Sequence, residues 1–391
     1  MHLARLFIGN FAFEHELAGR PPEFIAAKQS VRQVLCSLSA GWIAIAEPPD
    51  VILTPEPIEA EDFEELDRLA RALPRFVALK GARPPDVEGA LVPWGASAAM
   101  LQLARDRGWS ADFPPADVVQ EVNSRRERFH LERLLASPLP GMQLIESVEQ
   151  LEEVVAGSGH LSRGWVLKAN FGMAGRESVR GRGTPLSEPT RRWAAARLEE
   201  SGCVIFEPMV APIAEAGIQL EIPRSGEPAL VGIVPQIVGK DGTYRGSRFG
   251  NPDAEIDPWQ PAVPIALAAA SHLQKRGYFG PLGIDAMWYR DADGQAHLRP
   301  LQDVNARFTM GRLALGWTRW LPEGWCGSWL PTTAARPNVA GSFDASQVRV
   351  VEPFPRSWKN NGGGSTLIVA SSPTIRAEIE RQILQIQPPA D

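Results

Sequence analysis

At 391 residues the chain is long enough for two to four lobes with separate cores, so a single small module is excluded. The 44% apolar and 22% charged residues fit a soluble globular protein, neither disordered nor membrane-spanning, and a net charge of −6 supplies no positive field for a nucleic-acid partner. Three widely spaced cysteines (Cys36, Cys203, Cys326) and six unclustered histidines exclude a disulfide framework and a histidine-based metal centre.

The first third alternates between strand and helix. Strands are predicted at Leu6 to Ile8, Trp42 to Ala46, Val51 to Leu53, Phe76 to Leu79 and Ala90 to Val92. Helices are predicted at Phe24 to Ser39, Glu61 to Ala72 and Ser97 to Arg107, the last opened by Ser97 as a cap. This is the rhythm of an open parallel sheet. Only Gly9 marks the first crossing from strand to helix, so the G-x-G-x-x-G fingerprint of NAD binding is missing. The amino terminus carries no apolar leader, and the longest apolar stretch, Ala262 to Ala270, is too short for a bilayer and contains Pro264. No membrane partner is expected, and the cytoplasm is the expected setting.

Asp112-Phe113-Pro114-Pro115 reads as a boundary. Beyond it, Ser124 and Glu127 fit a capping box, and Phe129, Leu131, Leu134 and Leu135 supply the apolar stripe of a helix that stops before Pro138. A short helix over Val148 to Val155 precedes the strand Trp165 to Lys168. Further strands are predicted at Val204 to Val210, Gly217 to Ile222 and Ala229 to Val238, and a helix at Pro264 to Arg276. The turn Asp291-Ala292-Asp293-Gly294 joins Leu282 to Tyr289 and Gln295 to Gln302 into an antiparallel hairpin. The carboxy-terminal stretch adds the strand Leu367 to Ala370 and a helix over Ile375 to Leu384.

Three segments carry chemistry. Arginine outnumbers lysine 34 to 6, so Lys168 at the end of an apolar strand stands out. The loop after it, with Gly172 and Gly175, can bring backbone N–H groups onto phosphate oxygens beside that ammonium. A lysine snorkelling before an ordinary turn would account for this segment as well. Cys203 to Val210 is an apolar strand with Glu207 near its end and Glu215 beyond it. Such a strand can face a flat heterocycle, although surface glutamates past a core strand would look the same. The sharpest segment is the hairpin, which returns Asp285 beside Asp303 and Asn305 as hard oxygen ligands for Mg²⁺, with Arg307 two residues on. A solvated hairpin edge is the alternative there. Pro300 in the second strand implies a bulge that would set how the two carboxylates face.

In this order the three segments resemble the ATP-grasp superfamily, with its lysine before a glycine-rich loop, its acidic hinge strand and its terminal acidic-x-Asn-x-Arg strand. The resemblance covers residues 120 to 315 by motif and the first 110 by architecture. It implies an α/β chain in which an amino-terminal open parallel sheet of pre-ATP-grasp, Rossmann-like type precedes a two-lobed α+β ATP-grasp fold. The expected divisions are 1–115, 116–210 for the small lobe, 211–335 for the catalytic lobe and 336–391 for an extension packed on it. Lys168 would contact the α and β phosphates of ATP under a lid running from Gly172 to Gly175. Glu207 and the backbone of Val210 would meet adenine, and Glu215 the ribose. Asp303, Asn305 and Asp285 would hold Mg²⁺ or Mn²⁺, and Arg307 would stabilise the transferring phosphoryl group. The family's first phosphate lysine is replaced by Arg125 or Arg126, and its last-strand glutamate by Asp303.

The implied activity is carboxylate–amine ligation through an acylphosphate, with small-molecule carboxylate and amine partners and a homodimer as the assembly to look for. A kinase, a carboxylase or a nucleotide-binding protein without turnover are the other readings. Four further features stand outside this set. Ser97 resembles half of a nucleophile elbow but is better explained as a helix cap. The tryptophans Trp317, Trp320, Trp325 and Trp329 read chiefly as core. The stretch Tyr244 to Arg248 reads as a basic loop, which a carboxylate clamp and a plain solvated loop explain equally well. Gly362 to Gly364 lacks the lysine of a P-loop.

Overall fold

The computed structural model describes residues 4–20, 38–55, 57–58, 63, 66, 69, 71–79, 87–172, 177–239, 242–332, 344, 346–353 and 364–385. The amino-terminal sheet contains β1 (Arg5–Ile8), β2 (Val51–Thr54), β3 (Arg75–Ala78) and β4 (Ala90–Pro93), all parallel, in the order β3-β2-β1-β4. The run Leu6-Phe7-Ile8 and all of β2 are buried, as a parallel sheet covered on both faces requires. Ser97 caps the helix Ala98–Arg107, its Oγ accepting from Met100 N–H at 3.3 Å. The strand expected at Trp42 to Ala46 is instead a 3₁₀ helix, Gly41–Ala44. A short run buried on every side carries no periodicity to separate strand from helix. Trp42 wedges between Phe7 and Phe308, with ring centroids 4.9 and 5.0 Å away. The helices expected at Phe24 to Ser39 and Glu61 to Ala72 lie largely outside the described residues, as do Gly362 and Gly363.

A second, antiparallel sheet has the order β5-β8-β6-β7, from β5 (Gln143–Ile145), β6 (Trp165–Ala169), β7 (Ser178–Gly181) and β8 (Val204–Pro208). The helices Val148–Ala156 and Glu188–Ser201 cover one face through Leu151, Val155 and Ala194. Sequence reading passed over the second helix because its inner face, Thr190, Trp193, Ala194 and Leu198, is only weakly apolar among charges, although Ser187 and Pro189 mark its start. The helix Arg125–Leu135 is capped by Ser124, whose Oγ accepts from Glu127 N–H at 3.1 Å. Its inner face differs from the expected apolar stripe, since Leu134 is 64% exposed while Arg128 and Glu132 are fully buried.

The third sheet has eight antiparallel strands: β9 (Ala211–Ile222), β10 (Ala229–Val238), β11 (Tyr244–Phe249), β12 (Gly280–Arg290), β13 (Ala296–Asn305), β14 (Cys326–Thr332), β15 (Val348–Val351) and β16 (Gly364–Ala370). Their order is β13-β12-β9-β10-β11-β14-β16-β15, so the carboxy-terminal strands extend the sheet. The helix Val263–Lys275 covers the face carrying Ile218, Leu220 and Ile284. The β12–β13 turn is held by Asp291 Oδ1, which accepts from the N–H groups of Asp293 and Gln295 at 3.0 and 2.9 Å. Residues 244–249 form a strand rather than a loop, and Arg248 is committed to Glu380 of the helix Pro373–Gln385 at 2.8 Å. Trp317 packs against Trp320 and Trp329 at 5.5 and 6.4 Å, within the main core. Among the described residues no helix is long and apolar enough to cross a membrane.

Candidate active site

Register places the acidic pair. Gly283 faces Asn305 and Asp285 faces Asp303, but the next partner of β13, Arg299, faces Met287. Residues 300–302 therefore bulge opposite Ala286, a shift of two residues that leaves the facing of the side chains unchanged and sets Asp303 directly opposite Asp285. Asp285 Oδ1 accepts from Gln236 Nε2 at 2.9 Å and Oδ2 accepts from Asn305 Nδ2 at 3.2 Å. Gly217 lies beneath, where a Cβ would stand 2.8 Å from Gln219 Nε2 and 3.8 Å from Asp285 Oδ1. Burial, reinforced by the charge of Asp303, pushes Asp285 up to about 7. Burial acts on Asp303 in the same sense, but Arg125, Arg128 and Lys168 outweigh it and hold that carboxyl below its ordinary value.

A like-charge pair that keeps one proton near neutrality is a place where a cation would be stabilised. Among the described residues no group of three or more His, Cys, Asp and Glu side chains forms a metal array. Two carboxylates and an amide fit a hard ion such as Mg²⁺, which commonly takes one or two carboxylates and completes its shell with water and substrate phosphates.

Across the cleft, Lys168 near the end of β6 pairs with Glu207 of β8, Nζ to Oε2 at 2.7 Å. Glu207 Oε1 also accepts from Arg128 Nη2 at 2.8 Å and Arg299 Nη2 at 3.0 Å, and Oε2 accepts from Arg299 Nη1 at 3.3 Å. Behind them Glu132 accepts from Arg299 Nε at 2.7 Å and Arg128 Nη1 at 2.8 Å. Three cations face two carboxylates, and the surplus positive charge is carried at the cleft by Lys168, the most exposed member. Burial lowers the Lys168 pKa, opposed by Glu207 and assisted by Arg299 and Arg128. Glu207, which burial alone would raise, is held well below the carboxylate range by Arg299, Lys168 and Arg128. With both oxygens engaged, Glu207 anchors this cluster and has no lone pair left for a ring amine. Glu215 faces Met287 on β12, and burial raises its pKa. Val210 is half-buried just beyond β8.

Of the two candidate arginines, Arg125 reaches the cleft. It donates to Ala169 O at 2.7 Å and Gly172 O at 3.3 Å, and stands 3.4 Å from Asp303 Oδ2. Arg126 instead pairs with Glu146 at 2.6 Å. At Gly172 a Cβ would lie 2.6 Å from Glu177 Cβ and 3.1 Å from Arg125 Nη1, so the loop needs glycine to fold back here. Gly175 lies outside the described residues. Arg307 donates to Asn305 Oδ1 at 2.9 Å and pairs at 2.6 Å with Glu14, which belongs to the helix Phe13–Leu17 of the amino-terminal lobe. Its guanidinium lies 5.4 Å from the Trp94 ring centroid.

No protein-family model matches the chain, and no curated protein does. Solved structures do match over nearly the full length. N5-carboxyaminoimidazole ribonucleotide synthetase from Thermus thermophilus aligns at 16% identity over 99% of this chain and 100% of that one, with a TM-score of 0.54. Biotin carboxylase from Campylobacter jejuni, in a βγ-ATP complex, aligns at 11% identity over 98% of this chain and 91% of that one, with a TM-score of 0.57. The Staphylococcus aureus N5-carboxyaminoimidazole synthetase complexed with ADP aligns at 10% identity over 98% and 97%, with a TM-score of 0.54. The chain has the ATP-grasp fold. Lys168, Arg125 and the Asp285–Asp303 pair stand close together where the two antiparallel sheets meet, with Arg307 at the side nearest the parallel sheet.

Sequence reasoning missed Arg128, Glu132, Arg299, Gln236 and Glu14. Two signals for the buried cluster were present. Arg128 and Glu132 stand four apart on the helix's inner face, and Arg299 interrupts an apolar strand just before Pro300. Nothing local marks Gln236 or Glu14, whose partners lie 49 and 293 positions away in sequence.

Proposed function

We propose that the protein is an ATP-dependent ligase that activates a small carboxylate as an acylphosphate and joins it to an amine, releasing ADP and phosphate. The observation that supports this reading is that a cationic cluster ending in Lys168 stands within electrostatic reach of the acidic pair. The fold match is compatible with it, since several of the matching structures are described as ADP or ATP complexes of synthetases and carboxylases.

In this reading Lys168 and Arg125 bind phosphate oxygens, where the positive surplus behind Glu207 strengthens their hold. The backbone of Val210 meets adenine, Glu215 reaches the ribose, and Gly172 lies beside the phosphates. Asp285, Asp303 and Asn305 would hold Mg²⁺ or Mn²⁺, which when bound neutralises phosphoryl charge and polarises the P–O bonds. Asp285 gives up its proton as a cation takes that place. A substrate carboxylate oxygen then bonds to the γ-phosphorus while the bond to the ADP oxygen breaks. Arg307, fixed by Asn305 and Glu14, offers its donor fork to the charge that develops. The amine attacks the acyl carbon, phosphate departs, and the amine proton passes to solvent. A second reading takes bicarbonate as the carboxylate, favoured by the carboxylases among the fold matches.

ADP release measured against a panel of carboxylates, bicarbonate included, with and without amines, tests both readings. Dependence on a carboxylate and an amine together supports the ligase, and dependence on bicarbonate the second reading. Lys168→Ala and Asp303→Ala should each abolish turnover while circular dichroism shows both variants folded. Undiminished turnover in either folded variant would remove the site.

A further inference from the structure

A cavity of about 590 Å³ lies away from the cleft, between the segments that lead into β2 and β3 and the segment that follows the helix Met310–Gly316. It is therefore at the amino-terminal edge of the parallel sheet, whereas Glu14 and Trp94 beside Arg307 lie past the carboxyl ends of β1 and β4. Three arginines line it, Arg71, Arg319 and Arg349, against a single carboxylate, Glu47.

Arg319 is fixed in place. Its Nη2 donates to Ile43 O at 2.8 Å and also to Ala46 O, while Nη1 stands 3.5 Å from the exposed Glu47 and the buried Nε has no hydrogen-bond partner. Burial lowers its pKa. Glu47 and, more weakly, Asp50 offset part of that, while Arg71 and Arg5 push the same way as burial, a repulsion that a bound anion would relieve. Among the described residues Arg71 and Arg349 have no carboxylate partner, and Arg349 lies 5.9 Å from the Trp325 ring centroid. The remaining wall includes Trp320, with Arg319 5.6 Å from its ring centroid, and Leu69.

We propose that this cavity binds a small organic phosphate, a phosphate monoester with a ring-shaped or apolar body, at a site separate from the ATP cleft. The charges of three guanidinium groups suit a phosphate, with the exposed Arg71 and Arg349 as its donors, and the indole and leucine wall suits the body of the molecule. The volume is in the range of small-molecule sites. Among the described residues Glu47 is the one carboxylate lining the cavity, with Asp50 further off, so its charge opposes such a ligand.

Calorimetric titration of the full chain with phenyl phosphate tests this. Wild type and Lys168→Ala should bind it equally, because the site does not use the cleft. The exposed pair Arg71→Gln/Arg349→Gln should bind at least about tenfold more weakly, and Glu47→Gln more tightly. Loss of binding in Lys168→Ala would place the phosphate in the cleft and overturn the proposal. So would no binding to wild type, unchanged binding in the double variant, or weaker binding in Glu47→Gln. Benzoate binding as tightly as phenyl phosphate would overturn the phosphate class, and inorganic phosphate doing so would overturn the organic body.

Discussion

Replacing Asp285 by Asn should stabilise the metal-free protein while removing its turnover. Burial and Asp303 raise this carboxyl from 3.8 to about 7. At 1.36 kcal/mol per unit that gap is worth about 4 kcal/mol against the ionised folded form. The folded state therefore keeps a proton that the unfolded chain has already lost between pH 4 and 7, and stability falls with rising pH across that window. Asn keeps the shape and still accepts from Gln236, but it meets Asn305 Nδ2 with an amide, which costs about 1 kcal/mol. The expected net gain at pH 8 is about 1 to 3 kcal/mol, shrinking steadily towards pH 4, and Mg²⁺ should narrow it by stabilising only the parent. Urea unfolding of both proteins at pH 5, 6, 7 and 8, with EDTA and then with Mg²⁺, measures this. A variant less stable than its parent at pH 8, or a difference independent of pH, would refute the argument that the pair is held at a cost.

Arg299→Met leaves Glu132 and Glu207 buried with fewer partners, and should lower stability by about 3 to 5 kcal/mol in urea unfolding. A loss below about 1 kcal/mol would mean that the cluster is not the anchor described here. Glu14→Gln removes the charge that fixes Arg307 while keeping an acceptor, and should lower kcat by about tenfold with KM for ATP within about twofold. A change confined to KM would assign Glu14 to nucleotide binding instead.

Much of the fold was legible from short-range signals. Ser97, Ser124 and the turn at Asp291 each satisfy backbone groups within four residues, so side chain and structure meet in one stretch of sequence. The apolar runs of β1, β2 and β12 identify strands for the same reason. Trp42 to Ala46 shows the limit, because an apolar run fits a strand or a 3₁₀ turn until its neighbours are known. The identity of Lys168, Asp285, Asp303 and Arg307 as candidates was equally visible, since polar groups at the ends of apolar strands stand out against their surroundings.

What those residues touch was decided by the tertiary structure. Arg299 and Glu132 are 167 positions apart, and neither neighbourhood signals that both are buried. A buried charge is tolerable only with its partners in place, and those arrive from a helix and from strands of two different sheets. The same holds for the bulge at residues 300–302, which sets Asp303 directly opposite Asp285, and for Glu14, which reaches Arg307 from another lobe. Local pattern determined the elements and the kinds of group available; long-range packing determined which charges meet, because electrostatic pairing depends on distance in space and not on separation along the chain.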